Sequence, residues 1–91
     1  MEKTTMSKNY IIEQIKEAKN TGSVFIETDY EPIRKISIEY GDFDAGYKFF
    51  ISFFKIHNFQ PNETRWSKTV NEALNDIGTY IPDFLKLRNN F

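Results

Sequence analysis

Chemistry in a small protein needs a nucleophile, an acid–base pair or a ligand cluster, and few residues of this chain qualify. His57 is the only histidine. A general base needs a positioned partner, and metal sites recruit several His, Cys or carboxylate groups, so a lone His at the end of an aromatic run reads as structural. Asp42 and Asp44 stand two apart before Gly46, like the opening of a calcium loop. Such a loop needs a third oxygen ligand two residues on and a bidentate Glu at its end. Counted from Asp42 those positions are Gly46 and Phe53, which carry no side-chain oxygen. The two Asp residues therefore read as turn formers. Ser7, Ser23, Ser37, Ser52 and Ser67 stand in no nucleophile-elbow context, and the four glycines form no phosphate-binding loop. The expectation is a non-enzymatic protein with no cofactor and no metal.

Charge is distributed unevenly. Twelve basic and thirteen acidic residues nearly cancel, so no bulk field draws the chain to nucleic acid or an anionic membrane. Within that balance, Glu27, Asp29, Glu31, Glu39, Asp42 and Asp44 face only Arg34 and Lys35, whereas Lys48, Lys55, Arg65 and Lys68 face only Glu63. Glu27, Asp29, Glu31, Asp42 and Asp44 are thus the candidate docking set for a protein partner with a basic surface. Lys48, Lys55, Arg65 and Lys68 are the alternative set, for RNA or a single strand. The absence of Cys excludes a disulfide framework and suits a reducing compartment. Residues 1–9 have no apolar signal-peptide core and no run approaches a membrane span. A cytoplasmic protein without membrane contact is expected.

The elements that must position these residues are organised around 33–59. Ser7 is a candidate N-cap for a helix whose apolar stripe is Ile11, Ile12, Ile15 and Ala18, closed by Gly22. Residues 23–29 and the alternating stretch Ile33–Tyr40 predict a hairpin turning at Tyr30-Glu31-Pro32. Residues 47–56 are ambiguous. A strand would put Tyr47, Phe49, Ile51 and Phe53 on one face, whereas a helix would align Asp44, Lys48, Ser52 and Lys55 as a polar stripe. Aromatic density and the Gly41–Gly46 bracket favour the strand. Residues 58–62 read as a loop with Asn62 as an N-cap. Trp66, Val70, Ala73, Leu74 and Ile77 then recur at helical spacing, so Trp66, Val70, Leu74 and Ile77 are expected to face the sheet. A stop near Gly78-Thr79 and a short helix from Pro82 complete the reading. The expected architecture is one α+β domain over 1–91, with loose ends at 1–6 and 88–91. It is a three-stranded antiparallel sheet with an N-terminal helix and a C-terminal helix pair.

The order helix, three strands, helix, with Arg65-Trp66-Ser67-Lys68 opening the last long helix, resembles the double-stranded-RNA-binding domain. That family implies a lysine cluster at this helix and a His in the first strand loop. This chain has Arg65 and Lys68 there, and the loop reads Asp29-Tyr30-Glu31-Pro32. Gly46-Tyr47-Lys48-Phe49 is similar to the aromatic strand motif of RNA-recognition motifs, which implies a base-stacking platform. In size and element order the chain is also similar to some small anti-CRISPR proteins. Its richness in Lys, Asn, Ile and Phe is of the kind common in AT-rich bacteria and their phages. The favoured function is a small protein-binding module or inhibitor of a host protein. The alternatives are a nucleic-acid-binding module and a self-associating homo-oligomer, since a three-stranded sheet leaves an aromatic face and two edges to cover.

Overall fold

A computed structural model of the chain describes residues 8–28, 33–44, 46–55 and 57–81. Helix α1 (Lys8–Thr21) buries Ile11, Ile15 and Ala18, the expected stripe, and ends where Gly22 takes φ +104° and donates to the Ala18 carbonyl at 2.8 Å. Only a residue without a Cβ enters that conformation cheaply, so Gly22 both stops the helix and turns the chain into the sheet. Ser7, the expected N-cap, lies outside the described residues.

Strands β1 (Ser23–Glu27), β2 (Ile33–Asp42), β3 (Tyr47–Lys55) and β4 (Glu63–Ser67) follow, and helix α2 (Val70–Tyr80) closes the described chain. The sheet is an antiparallel meander in the order β1-β2-β3-β4. The segment 47–55 is a strand, which resolves its ambiguity. Its Phe49, Ile51 and Phe53 stand opposite Tyr40, Ile38 and Ile36 of β2, and this one face is buried.

The pairing shifts by one residue between Ile33 and Lys35, which keeps both Ile33 and Ile36 in the core despite their odd spacing. Arg34 at the shift donates from Nε to the Thr28 carbonyl at 3.2 Å, and Thr28 N–H donates back to the Arg34 carbonyl. At the far end of β2, Asp44 takes φ 61° and Phe43 N–H bonds the Gly46 carbonyl at 3.2 Å. That is the role of turn former expected of Asp44.

Both helices pack on the same sheet face. α1 lies against β1 and β2, α2 against β4, and the helices touch each other. Ala73, Leu74 and Ile77 of α2 meet the isoleucines of α1 and the β2–β3 face in one core.

Three expectations about architecture are overturned: the strand count, the cap of the last long helix and the C-terminal helix pair. The sheet has four strands, because 63–67, expected to open the long helix, is β4. Thr64, Arg65 and Trp66 suit a pleated surface, and pairing them with β3 satisfies a backbone edge that would otherwise be bare. The cap of α2 is Thr69 and not Asn62. The Thr69 hydroxyl accepts from Glu72 N–H at 3.1 Å, and Glu72 reaches back to Lys68 N–H at 2.8 Å. This reciprocal pair starts the helix seven residues later than expected. Asn62 instead fastens the β3–β4 loop, its Oδ1 accepting from Lys55 N–H at 2.9 Å and from Asn58 Nδ2 at 3.0 Å. α2 runs through a buried Gly78 and ends at Tyr80, next to the expected stop. A C-terminal helix pair is not part of this α-β4-α order, and the helix expected from Pro82 lies outside the described residues.

Candidate functional site

Among the described residues, the helices cover one face of the sheet and leave the other open. Strand alternation assigns its residues. β1 contributes Ser23, Phe25 and Glu27, and β2 contributes Lys35, Ser37, Glu39 and Gly41. β3 adds Lys48, Phe50, Ser52 and Phe54, and β4 adds Thr64 and Trp66. Trp66 was expected in the core, but its place on β4 turns it outward, 52% exposed. Phe25 is 65% exposed, and Phe50 and Phe54 are half-buried.

The rings form two groups at opposite corners. Phe50 and Trp66 are direct cross-strand partners with centroids 4.4 Å apart, and Phe43 from the β2–β3 turn meets Trp66 edge-on at 5.2 Å. Lys48 Nζ lies 5.4 Å from the Trp66 ring centroid. At the other corner Lys35 Nζ sits between Phe25 and Phe54, 5.3 and 4.7 Å from their centroids. Between the corners Ser37 and Ser52 stand opposite one another, each 6% exposed beneath the larger side chains. The face carries Lys35 and Lys48 against Glu27 and Glu39, so its charge balances.

The acidic set does not meet in one patch. Glu27 pairs with Lys35 at one end of β2, while Asp42 and Asp44 lie at the other end. Seven residues of strand, roughly 23 Å, separate those ends. Asp29 and Glu31 lie outside the described residues. The basic set is divided as well. Lys48 is on the open face, and Lys55 is an exposed side chain at the far end of β3. Lys68 follows β4, and Arg65 is on the helix side, 5.3 Å from the Tyr80 ring. Among the described residues no three His, Asp or Glu side chains cluster as metal ligands, and His57 is exposed with φ 66°.

Phe25, Phe43, Phe50, Phe54, Lys35 and Trp66 were absent from both candidate sets. The signal for the β3 residues was present, because the strand reading of 47–56 puts Lys48, Phe50, Ser52 and Phe54 on a second face. For Trp66 the signal was the sequence Thr69-Val70-Asn71-Glu72, a capping box that starts the helix after it. No helix of the described residues is long and apolar enough to cross a membrane. No protein-family model, curated protein or solved structure matches this chain.

Proposed function

We propose that this is a non-enzymatic protein-binding module that docks through the open face of its sheet. The observation that carries the reading is the Phe43–Phe50–Trp66 cluster, three rings in mutual contact on a face that neither helix covers. An exposed aromatic group rimmed by charges of both signs has the anatomy of an interface centre, where Trp and other rigid aromatics give much binding energy at little entropic cost. The balanced charge of the face favours a protein over nucleic acid, whose backbone calls for a surplus of Lys and Arg. It also shifts the docking role from the five-residue acidic set to the aromatic residues between its two ends.

The test is capture of proteins from the source cell's lysate by the wild type and by Trp66→Ala, with labelled single-stranded RNA offered in parallel. The expected result is a partner held by the wild type, lost on Trp66→Ala and insensitive to reversing Asp42 and Asp44, with the melting curve little changed. Equal capture by the variant would place the docking surface elsewhere. Tight RNA binding by the isolated chain, abolished on reversing Lys48 and Lys68, would replace the protein reading with the nucleic-acid one.

A further inference from the structure

We infer that the partner at the Trp66 corner is an extended peptide segment of another protein, added to the sheet as a fifth strand antiparallel to β4; this rests on the reading of that corner as a protein-docking surface. β4 is the last strand in the order, and among the described residues no backbone hydrogen bond reaches its outer side. A strand in that position holds alternate N–H and C=O groups outward, in the pattern with which a further strand pairs. The other outer strand, β1, is less open. Its Ile26 is buried and its Val24 half-buried against α1, so the helix roofs that edge. On β4, by contrast, Glu63, Thr64, Arg65 and Trp66 are all exposed, on the helix side as well as the open side. A strand beside β4 therefore has room for its side chains on both faces.

The chemistry of the segment follows from what β4 presents on each face. On the helix side stand Glu63 and Arg65, two apart and opposite in sign. Tyr80 holds both in place, its hydroxyl donating to Glu63 Oε1 at 3.3 Å and its ring lying 5.3 Å from the Arg65 guanidinium. Charges of one sign along an edge turn other strands away. One of each sign selects instead, because side chains directly opposed on a sheet attract when unlike and repel when like. The segment therefore carries an acidic residue across from Arg65 and a basic one across from Glu63. On the open face, the position across from Trp66 extends the Phe50–Trp66 row and takes an aromatic side chain, and the position across from Thr64 takes a β-branched one. Read from its N-terminus, the segment runs aromatic, acidic, β-branched, basic.

In such strand addition the main-chain bonds supply the affinity and the alternating side chains choose the segment. β4 offers five residues of edge, so the complex is weak and reversible, of the transient class.

Titration of the full chain with synthetic peptides, followed by NMR up to about 2 mM peptide, tests this. The matched peptide is Thr-Tyr-Glu-Val-Lys with blocked ends. It should move the amide signals of Thr64, Arg65 and Trp66 and the Trp66 indole signal. Exchanging its Glu and Lys turns two attractive pairs into two repulsive ones and should weaken binding about tenfold. Two further versions carry N-methyl groups, one on the Tyr and Val amides and the other on the Glu and Lys amides. Only one of these should lose binding, because only one set of N–H groups faces β4. Combining Glu63→Lys with Arg65→Glu should invert the preference between the first two peptides, and the peptide comparisons on the wild type decide the matter should that variant fold poorly. No shift with the matched peptide at the top concentration would overturn the inference, as would equal binding of the charge-exchanged peptide or of both N-methyl versions. A lysate partner lost on Trp66→Ala, with no peptide bound, would sink strand addition and leave the docking face standing.

Discussion

At the scale of single residues, Tyr80 joins three elements. Its ring packs 4.4 Å from Phe53, its hydroxyl donates to Glu63 Oε1 at 3.3 Å, and the Arg65 guanidinium lies 5.3 Å from the ring centroid. Burial pushes its phenol pKa above the ordinary value; the Arg65 charge opposes this, while the Glu63 carboxylate and its hydrogen bond add to it. The folded state therefore keeps a proton that the unfolded chain releases near pH 10. The resulting stabilisation is complete below that value and is lost as pH rises through the higher folded pKa. Urea melts at alkaline pH should show the wild type losing stability faster than Tyr80→Phe. Glu63→Gln should bring the Tyr80 titration down. An alkaline slope identical in wild type and Tyr80→Phe would remove this account. Ser67 is a second junction, its buried hydroxyl donating to Asp76 Oδ2 at 2.5 Å and so tying β4 to α2. A hydrogen bond to a charged acceptor contributes about 1.5–3 kcal/mol, so Ser67→Ala should lower the denaturant midpoint by a matching amount without changing the slope.

At the scale of elements, the helix that starts at Thr69 separates what could be read early from what could not. Thr69→Ala should cost about 1 kcal/mol, the usual worth of a side-chain cap, whereas the same loss on Asn62→Ala would come from the β3–β4 loop and leave α2 intact. Hydrogen exchange separates the two, because only the first change should speed exchange at the amides of Glu72 and its neighbours. Helix α1, β1, β2 and the turn at Asp44 were legible because their periodicity and their punctuation by Gly22 and Gly46 agree. β3 was legible only as the better of two readings, since nearly every residue from Tyr47 to Phe54 is apolar and either period can be drawn through it. β4 was not legible, because Trp66 stands four residues before Val70 and extends the helical spacing backward. That coincidence hid a five-residue strand whose existence depends on an edge of β3, a tertiary fact that propensity does not carry. The sequence does leave an aromatic sheet face to cover, but with Trp66 assigned to the core its largest ring was not placed there.

At the scale of the whole molecule, one core serves two helices and one side of the sheet, and this asymmetry gives the single Trp a diagnostic position. Leu74 is 4% exposed at the centre of α2's buried stripe, and Leu74→Ala should cost about 2–5 kcal/mol. Trp66 is larger but lies outside the core, so Trp66→Ser should cost far less, within the range of surface substitutions that lose some neighbouring contact, about 1 kcal/mol. The order of these two costs is the reverse of what side-chain size alone would give, and comparing the two denaturant midpoints checks it. Trp66 nevertheless reports on the whole fold, because its ring is held by Phe50 on β3 and Phe43 in the turn. Its fluorescence should therefore be lost in the same transition as the helical circular dichroism, as a single cooperative domain requires. In dilute solution its emission should be quenched readily by iodide, and it should shift to the blue and become protected as the open face is covered by a partner. A Trp66 already shielded at the lowest concentrations, or one melting apart from the helices, would mean that the ring is packed in the interior and that the open face has been drawn on the wrong side of the sheet.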